Sequence, residues 1–334
     1  MISDAKFLKY VQLRGIVDVL YDIQDVRMRT DNRLRVMPKE TSKLRVQPLK
    51  DLESDLTKQI DVILQDEPIY TSFLQKVRGV GPRISGTIIA QTMIKFVPIT
   101  EDTYKVLKKH YDRQEKSDAQ LITASHQISD THAKGASQEE NDTHFFVASQ
   151  DPEVQEMYSK EQFELAQKTA NGGYLIPAKR GIEAFDTCSK YWAWWGLHVI
   201  DGSAAKRKKG QQINWNPKMK TLAWKIGKQF VMQGLGYRQL YDHEKDRLYD
   251  ARMPLGKCHK YAECVSKLKT RKTPSCKGHI DSMAKRKAVK MFISHLYEAW
   301  RNLENLPTRP PYVLEYGSHT TYRGWEVLPD FMDE

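Results

Sequence analysis

Three cysteines and a histidine stand close together late in the chain, in "GKCHKYAECVSKLKTRKTPSCKGHIDSMAKR", residues 256–286. Cys258 and Cys264 form a loop-making pair with five residues between them, and Cys276 with His279 makes a CxxH knuckle at the start of a helix. Three thiolates and one imidazole are a set that Zn2+ takes tetrahedrally in structural sites. A metal there would close a loop, 258–279, that is rich in Lys and Arg and poor in the apolar residues a loop otherwise needs to hold itself together. The first spacing exceeds the usual two to four residues, and His259 offers a substitute ligand. Free, reduced thiols are the alternative, since four cysteines in 334 residues make no disulfide framework.

A second chemical candidate is Ser203, in "YWAWWGLHVIDGSAAKRKKGQQINWNPKMKTLAWKIG", residues 191–227. A serine nucleophile needs a base or neighbouring cations to stabilise its alkoxide, and Lys206 and Arg207 stand close in sequence. A serine after glycine is more commonly a plain turn residue. The run Lys206, Arg207, Lys208 and Lys209 supports a different use of the same stretch, as a grip on phosphates. Between Ser203 and Lys290 there are 23 Lys and Arg against 6 Asp and Glu, a surplus of 17. The whole chain carries +11, so everything outside that segment is net acidic by 6. One region holds the basic footprint, with tryptophans set through it, and nucleic acid is the leading partner.

The elements that must position these residues read as helices. Ile16, Leu20, Ile23 and Val26 recur at intervals of three and four, as do Leu49, Leu52, Leu56, Ile60 and Ile63. The two stripes can pack on each other within one chain or form a seam in a homodimer. "FLQKVRGVGPRISGTIIAQ", residues 73–91, runs from an apolar helix end through a tight glycine turn into a second helix, in the manner of a helix-hairpin-helix. In that reading Gly79 and Gly81 shape the turn, Lys76, Arg78 and Arg83 flank it, and backbone N–H groups face a phosphate. An ordinary glycine-capped connection explains the same residues. Residues 101–178 are polar and lack a sustained period, and read as an insertion or linker, partly disordered, with a short helix over 153–168. His126, His132 and His144 stand in it at no ligand spacing.

Beyond it, "GIEAFDTCSKYWAWWGLHV" predicts a buried helix ending near Gly196, its tryptophans in the core rather than stacked on bases. Asn216-Pro217 is a helix start, an N-cap side chain followed by proline. The helix that follows buries Leu222, Ala223, Ile226 and Phe230, with Lys218, Lys220, Lys225 and Lys228 exposed or flanking. A last helix, 279–303, buries Ala284, Ala288, Phe292 and Leu296 and carries Lys285, Arg286, Lys287 and Lys290.

The order of these pieces, "LKDLESDLTKQIDVILQ", "VRGVGPRISGTIIA", "YWAWWGLHV", the Gly202-Ser203 turn and "KRKKG…NWNPKMKTLAWKIG", resembles the C-terminal transposase domain of the insertion-sequence-110 family, over about 45–100 and 180–303. The resemblance implies DNA strand exchange in transposition of a mobile element, by a RuvC-like domain with four acidic metal ligands and a serine that attacks DNA. Some members choose their sites with a structured RNA. A RuvC-like fold opens with a strand ending in Asp, whereas residues 1–70 have helical period, and the acidic tetrad is not found. A separate RuvC-like subunit would then be the nuclease partner, and Mg2+ would be needed only with it.

The expected architecture is therefore mainly α. It comprises a helical region over 1–100 with a helix-hairpin-helix, a polar insertion over 101–178, a basic helical domain over 179–306 with a zinc-stabilised loop, and an extended tail over 307–334. The expected function is that of a transposase- or recombinase-type DNA-binding protein; the alternative is a non-catalytic, zinc-stabilised DNA- or RNA-binding protein derived from one. No apolar run approaches a membrane span and the N-terminus lacks the order of a signal peptide, so a cytoplasmic location is expected.

Overall fold

The computed structural model of the chain describes residues 4–37, 46–113, 116, 160–170, 172–200, 203–207, 209–210, 212–252 and 275–309. The fold is mainly α, as expected, and divides into two compact units: Met1–Met93 with Arg180–Glu334, and Ile94–Lys179.

The first unit opens with α1 (Asp4–Val36) and α2 (Gln47–Leu64), followed by α3 (Pro68–Ser72), a single 3-10 turn (Leu74–Lys76) and α4 (Pro82–Met93). The buried stripe of α1 is Phe7, Tyr10, Leu13, Val17 and Leu20, one step round from the predicted one, and Val26 is half exposed. In α2 the buried positions are Glu53, Leu56, Ile60 and Leu64, and Leu52 is exposed. The predicted stripes shift because α1 packs on both α2 and α4, so its inward face is set by two neighbours, not by its own most apolar side. Gly86 marks how close this packing is, since a Cβ there would come within 2.6 Å of Ile60. Glu53, on the buried stripe of α2, pairs with Arg27 from α1 and with Arg83 from α4, which ties three helices together.

The second half of this unit contains α7 (Cys188–Trp194), a two-stranded hairpin β4 (Val199–Ile200) and β5 (Ser203–Ala204), then α8 (Pro217–Gln233), α9 (Gly236–Arg252) and α10 (Ser275–Leu303). The helix α10 is central: Phe292, Ile293, Ser294, His295, Leu296, Tyr297, Ala299, Trp300 and Arg301 are all buried. Against it lie α9, α8 and α7, with Phe230, Tyr237 and Phe292 making an aromatic cluster at ring separations of 4.7–5.6 Å. Gly227 lets α8 approach α10 closely, because a Cβ would stand 3.2 Å from Val289. The predicted burial of Leu222, Ala223, Ile226, Phe230, Ala284, Ala288 and Leu296 is observed, and α10 begins four residues earlier than expected.

Residues 94–99, expected within the helical region over 1–100, and 167–168 and 174–179, at the end of the expected insertion over 101–178, form strands of the second unit. β1 (Ile94–Ile99) pairs antiparallel with β3 (Tyr174–Lys179), and β2 (Gln167–Lys168) flanks β3 on the other side. Pro177 is tolerated in the middle strand because β2 reaches only Leu175 and Tyr174, leaving no second ladder at Pro177. Helix α5 (101–113) and α6 (Lys160–Glu164) complete a small core of Leu107, Tyr111 and Ile176, with Tyr104 stacked on Tyr174 at 3.6 Å between ring centroids. Of the expected helix over 153–168, the described residues show α6; residues 153–159, like His126, His132 and His144, lie outside the described residues.

Candidate nucleic-acid interface

The basic segment is built on a short, well-capped helix. Thr187 accepts a hydrogen bond from the Lys190 amide at the start of α7, and the helix ends at Gly196, whose φ of +67° is the left-handed conformation. A side chain at Gly196 would stand 2.8 Å from Lys220 Cδ and 3.0 Å from the Trp215 ring, so the glycine lets both residues close over the turn. The N-cap Asn216 accepts from the amides of Lys218 and Met219, while its own amide N–H donates to the Trp194 carbonyl at 2.9 Å. Its Nδ2 donates to Gln91 Oε1 at 2.9 Å, which docks the start of α8 on α4. The β4–β5 hairpin pairs Val199 with Ala204 and Ile200 with Ser203.

Four groups converge on the end of α7. Arg286 from α10 donates to the carbonyls of Leu197 and His198 at 2.7 and 3.1 Å. Lys220 from α8 donates to the Ala205 carbonyl and lies 4.3 Å over the Trp215 ring. Lys290, one turn beyond Arg286, makes no hydrogen bond through its amine among the described residues and sits 4.0 Å over the Trp192 ring. His198 stands 5.8 Å from Trp215, and neither of its ring nitrogens meets hydrogen-bond geometry with a described partner; the buried Trp192 Nε1 has none either.

No described carboxylate pairs with Lys220, Arg286 or Lys290. Burial, with Arg286 nearby, pushes the Lys290 ammonium down to about 8, and Lys287 adds to this. Burial and Arg286 lower Lys220 as well. His198 is held below its ordinary value by burial and by Lys220, Arg286 and Lys290, and the nearby Ala193 carbonyl does not offset them. Among the described residues, the cluster is therefore a positive field with no paired carboxylate, in a partly dry place lined by two indoles.

The structure brings together some of the sequence-predicted cations and assigns others elsewhere. Lys220 and Arg286 belong to the cluster. Lys206, Arg207 and Lys209 are exposed on the loop after β5. Lys218 pairs with Asp18 of α1 at 2.7 Å, and Lys285 with Asp281 at 2.8 Å. The side chains of Ser203 and Lys208 lie outside the described residues. At the glycine turn, Lys76 and Arg78 are exposed, whereas Arg83 donates to Thr57 and Glu53. Gly79, at φ +85°, packs against α8, where a Cβ would come within 2.9 Å of Gln229. Gly81 has open space around it. The limb before the turn is five residues of α3 and a 3-10 turn, not one continuous helix.

His198, Trp192 and Trp215 were not among the predicted contacts, and Lys290 was read only as part of the basic surface of the last helix. A weak signal existed for Lys290, four residues after Arg286 and so on the same helix face; none existed for His198, whose neighbours come from two distant helices.

Cys276 lies in the first turn of α10 and His279 three residues later, a spacing that can place both on one face. Cys258 and Cys264 lie outside the described residues, so the four-ligand set is not assembled among those described. Nor do the described residues contain any group of three His, Cys, Asp or Glu suited to a metal ion. The fourth cysteine, Cys188, is buried beside Ser294, and burial pushes its thiol up to about 12. Among the described residues no helix is long and apolar enough to cross a membrane. No known protein family, curated protein or solved structure matches this chain.

Proposed function

We propose that this chain is a nucleic-acid-binding protein, with DNA as the ligand, of the transposase or recombinase type that handles strands of a mobile element. The observation that carries the reading is the cluster of Lys220, Arg286 and Lys290, with no carboxylate paired to it among the described residues and two indoles beside it, joined in sequence to the exposed Lys206, Arg207 and Lys209. Cations attract a polyanion, and an excess of them in one segment of an otherwise acidic chain concentrates that attraction. The turn at 73–91, in its helix-hairpin-helix reading, would add phosphate contacts through Lys76 and Arg78, without Arg83.

The likeness to the insertion-sequence-110 family rests on the order of the motifs. It implies strand exchange, with four acidic ligands on a RuvC-like domain; a separate RuvC-like subunit, with Mg2+ held there, is our proposal for where those ligands stand. A homodimer through the N-terminal helices and a guide-like structured RNA belong to the same proposal. The helical residues 4–36 and 47–64, where a RuvC-like strand would stand, favour a second reading as well: a non-catalytic DNA- or RNA-binding protein stabilised by Zn2+ on Cys258, Cys264, Cys276 and His279.

Duplex and branched DNA titrated at several salt concentrations test the main reading. The logarithm of affinity falls linearly with the logarithm of salt, and alanine at Lys206, Arg207 and Lys209 together lowers the slope by about one for each phosphate those side chains neutralise. A salt-independent affinity would sink it. Elemental analysis tests the metal: about one zinc per chain is expected, lost in Cys276→Ser, and metal-free protein with all four thiols titratable on unfolding refutes the site.

A further inference from the structure

We propose that the cluster formed by His198, Lys220, Arg286 and Lys290 at the end of α7 is a built site for a phosphate monoester. On the nucleic-acid reading above, on which this choice of source rests, the group is the terminal phosphate of a strand.

Three features of the cluster select that group. First, three cationic side chains from α8 and α10 stand around one imidazole, and among the described residues no carboxylate pairs with them. A phosphodiester brings one negative charge; a monoester brings up to two and three acceptor oxygens. Second, buried polar atoms remain for a ligand: the indole Nε1 of Trp192 meets no hydrogen-bond geometry with a described partner, and the His198 ring has only the Ala193 backbone beside it, although burial makes an unmade hydrogen bond costly. Third, the cluster is half-buried, unlike the exposed Lys206, Arg207 and Lys209. An internal phosphate, flanked on both sides by its strand, meets the exposed loop; a terminal phosphate projects beyond the last sugar and reaches inward.

The roles follow from the positions. Arg286 is already held by the carbonyls of Leu197 and His198 and presents its remaining N–H groups in a fixed orientation. Lys290 exchanges its place over the Trp192 face for a phosphate oxygen. Lys220, held by the Ala205 carbonyl and the Trp215 ring, provides the second ammonium. His198 donates one hydrogen bond when neutral and two when the bound anion favours its charged form.

The full chain labelled at histidine with nitrogen-15 is titrated with inorganic phosphate while His198 resonances are followed by NMR. Saturable movement of the His198 signals, abolished in Lys290→Met and in Lys220→Met and retained in Lys290→Arg, is the expected result. His198 signals unmoved by phosphate in the folded wild-type protein overturn the proposal. Oligonucleotides ending in phosphate or in hydroxyl are then compared at matched salt. The phosphorylated end should bind about tenfold tighter, the scale of one charge-assisted hydrogen bond, with the preference gone in Lys290→Met. Equal, salt-dependent affinities for both ends would overturn the strand-terminus assignment while leaving the nucleic-acid reading intact. Movement of His198 by phosphate with no oligonucleotide binding at all would uphold the monoester site and defeat that reading instead.

Discussion

At the scale of single residues, the cost of keeping Lys290 where it is can be measured apart from any ligand. The groups facing its amine are Arg286 and Lys287 on its own helix, which disfavour its charge, and Cys188 of α7, which favours it; burial is the largest influence. Below pH 8 the amine is charged in the folded and unfolded chain alike, and the folded state bears the full cost of burying it. Above pH 8 the folded protein releases the proton while an unfolded lysine, titrating near 10.5, still holds it. The stability tied to Lys290 therefore appears as pH rises from 8 to 10.5 and is lost as pH falls through 8. Wild type should gain about 1–2 kcal/mol on Lys290→Met between pH 7 and pH 10, read from urea unfolding at both. Cys188 titrates with the opposite sign, raised to about 12 from 9, and its contribution disappears as pH climbs above 9; because Lys290 lowers that thiol, the difference between the two proteins reads the coupled pair. Its burial also predicts inertness: peptide mapping after brief thiol alkylation at pH 8 should find Cys188 unmodified in folded protein and modified in urea. Rapid modification without unfolding would show that α7 opens.

At the scale of elements, local signals were legible in sequence and long-range ones were not. Asn216-Pro217 could be read as the start of α8 because a cap is made by a residue's own neighbours, and Asn216 does accept from Lys218 and Met219. Asn216→Ala should cost about 1 kcal/mol for the cap, more if the contact with Gln91 matters, lowering Tm measurably. The stripes on α1 and α2 were visible in kind but rotated, since which face is buried depends on where α4 lies. The strand β1 was hidden because its partner at Lys179 stands 85 residues from Ile94, beyond any local window. The cation cluster was half legible: Lys220 and Arg286 were visible as basic, but their meeting at His198 belongs to the packing of α8 and α10 on α7. Gly79 was legible as a turn residue, whereas its packing against α8 was not. Its left-handed φ and its closeness to Gln229 make it a packing point between the turn and α8. Gly79→Ala should therefore destabilise by about 1 kcal/mol or more in thermal unfolding; a variant with wild-type stability would mean that the turn is free of α8.

At the scale of the whole molecule, the separation of charge from carboxylates bears on whether this chain cuts DNA alone. Phosphodiester cleavage of the proposed transposase type needs metal-holding acids at the scissile phosphate and an activated serine. The cluster at His198 is rich in cations, and no described carboxylate is paired into it. The paired acids of α1 and α2 are used in structure: Asp18 holds Arg14 and Lys218, and Glu53 holds Arg27 and Arg83. Cations alone can bind a strand and stabilise a leaving group's charge, but they do not assemble a two-metal centre. The isolated chain with Mg2+ should therefore bind DNA and leave it intact, and Ser203→Ala should bind with unchanged affinity. Gel analysis of end-labelled DNA, with denaturing separation of any protein-linked product, reads both outcomes. A covalent adduct formed by wild type and absent from Ser203→Ala would make Ser203 a nucleophile and refute the prediction. Strand transfer that begins only when a RuvC-like protein is added would assign the acids to a second subunit, and the basic cluster to holding the strand on which those acids act.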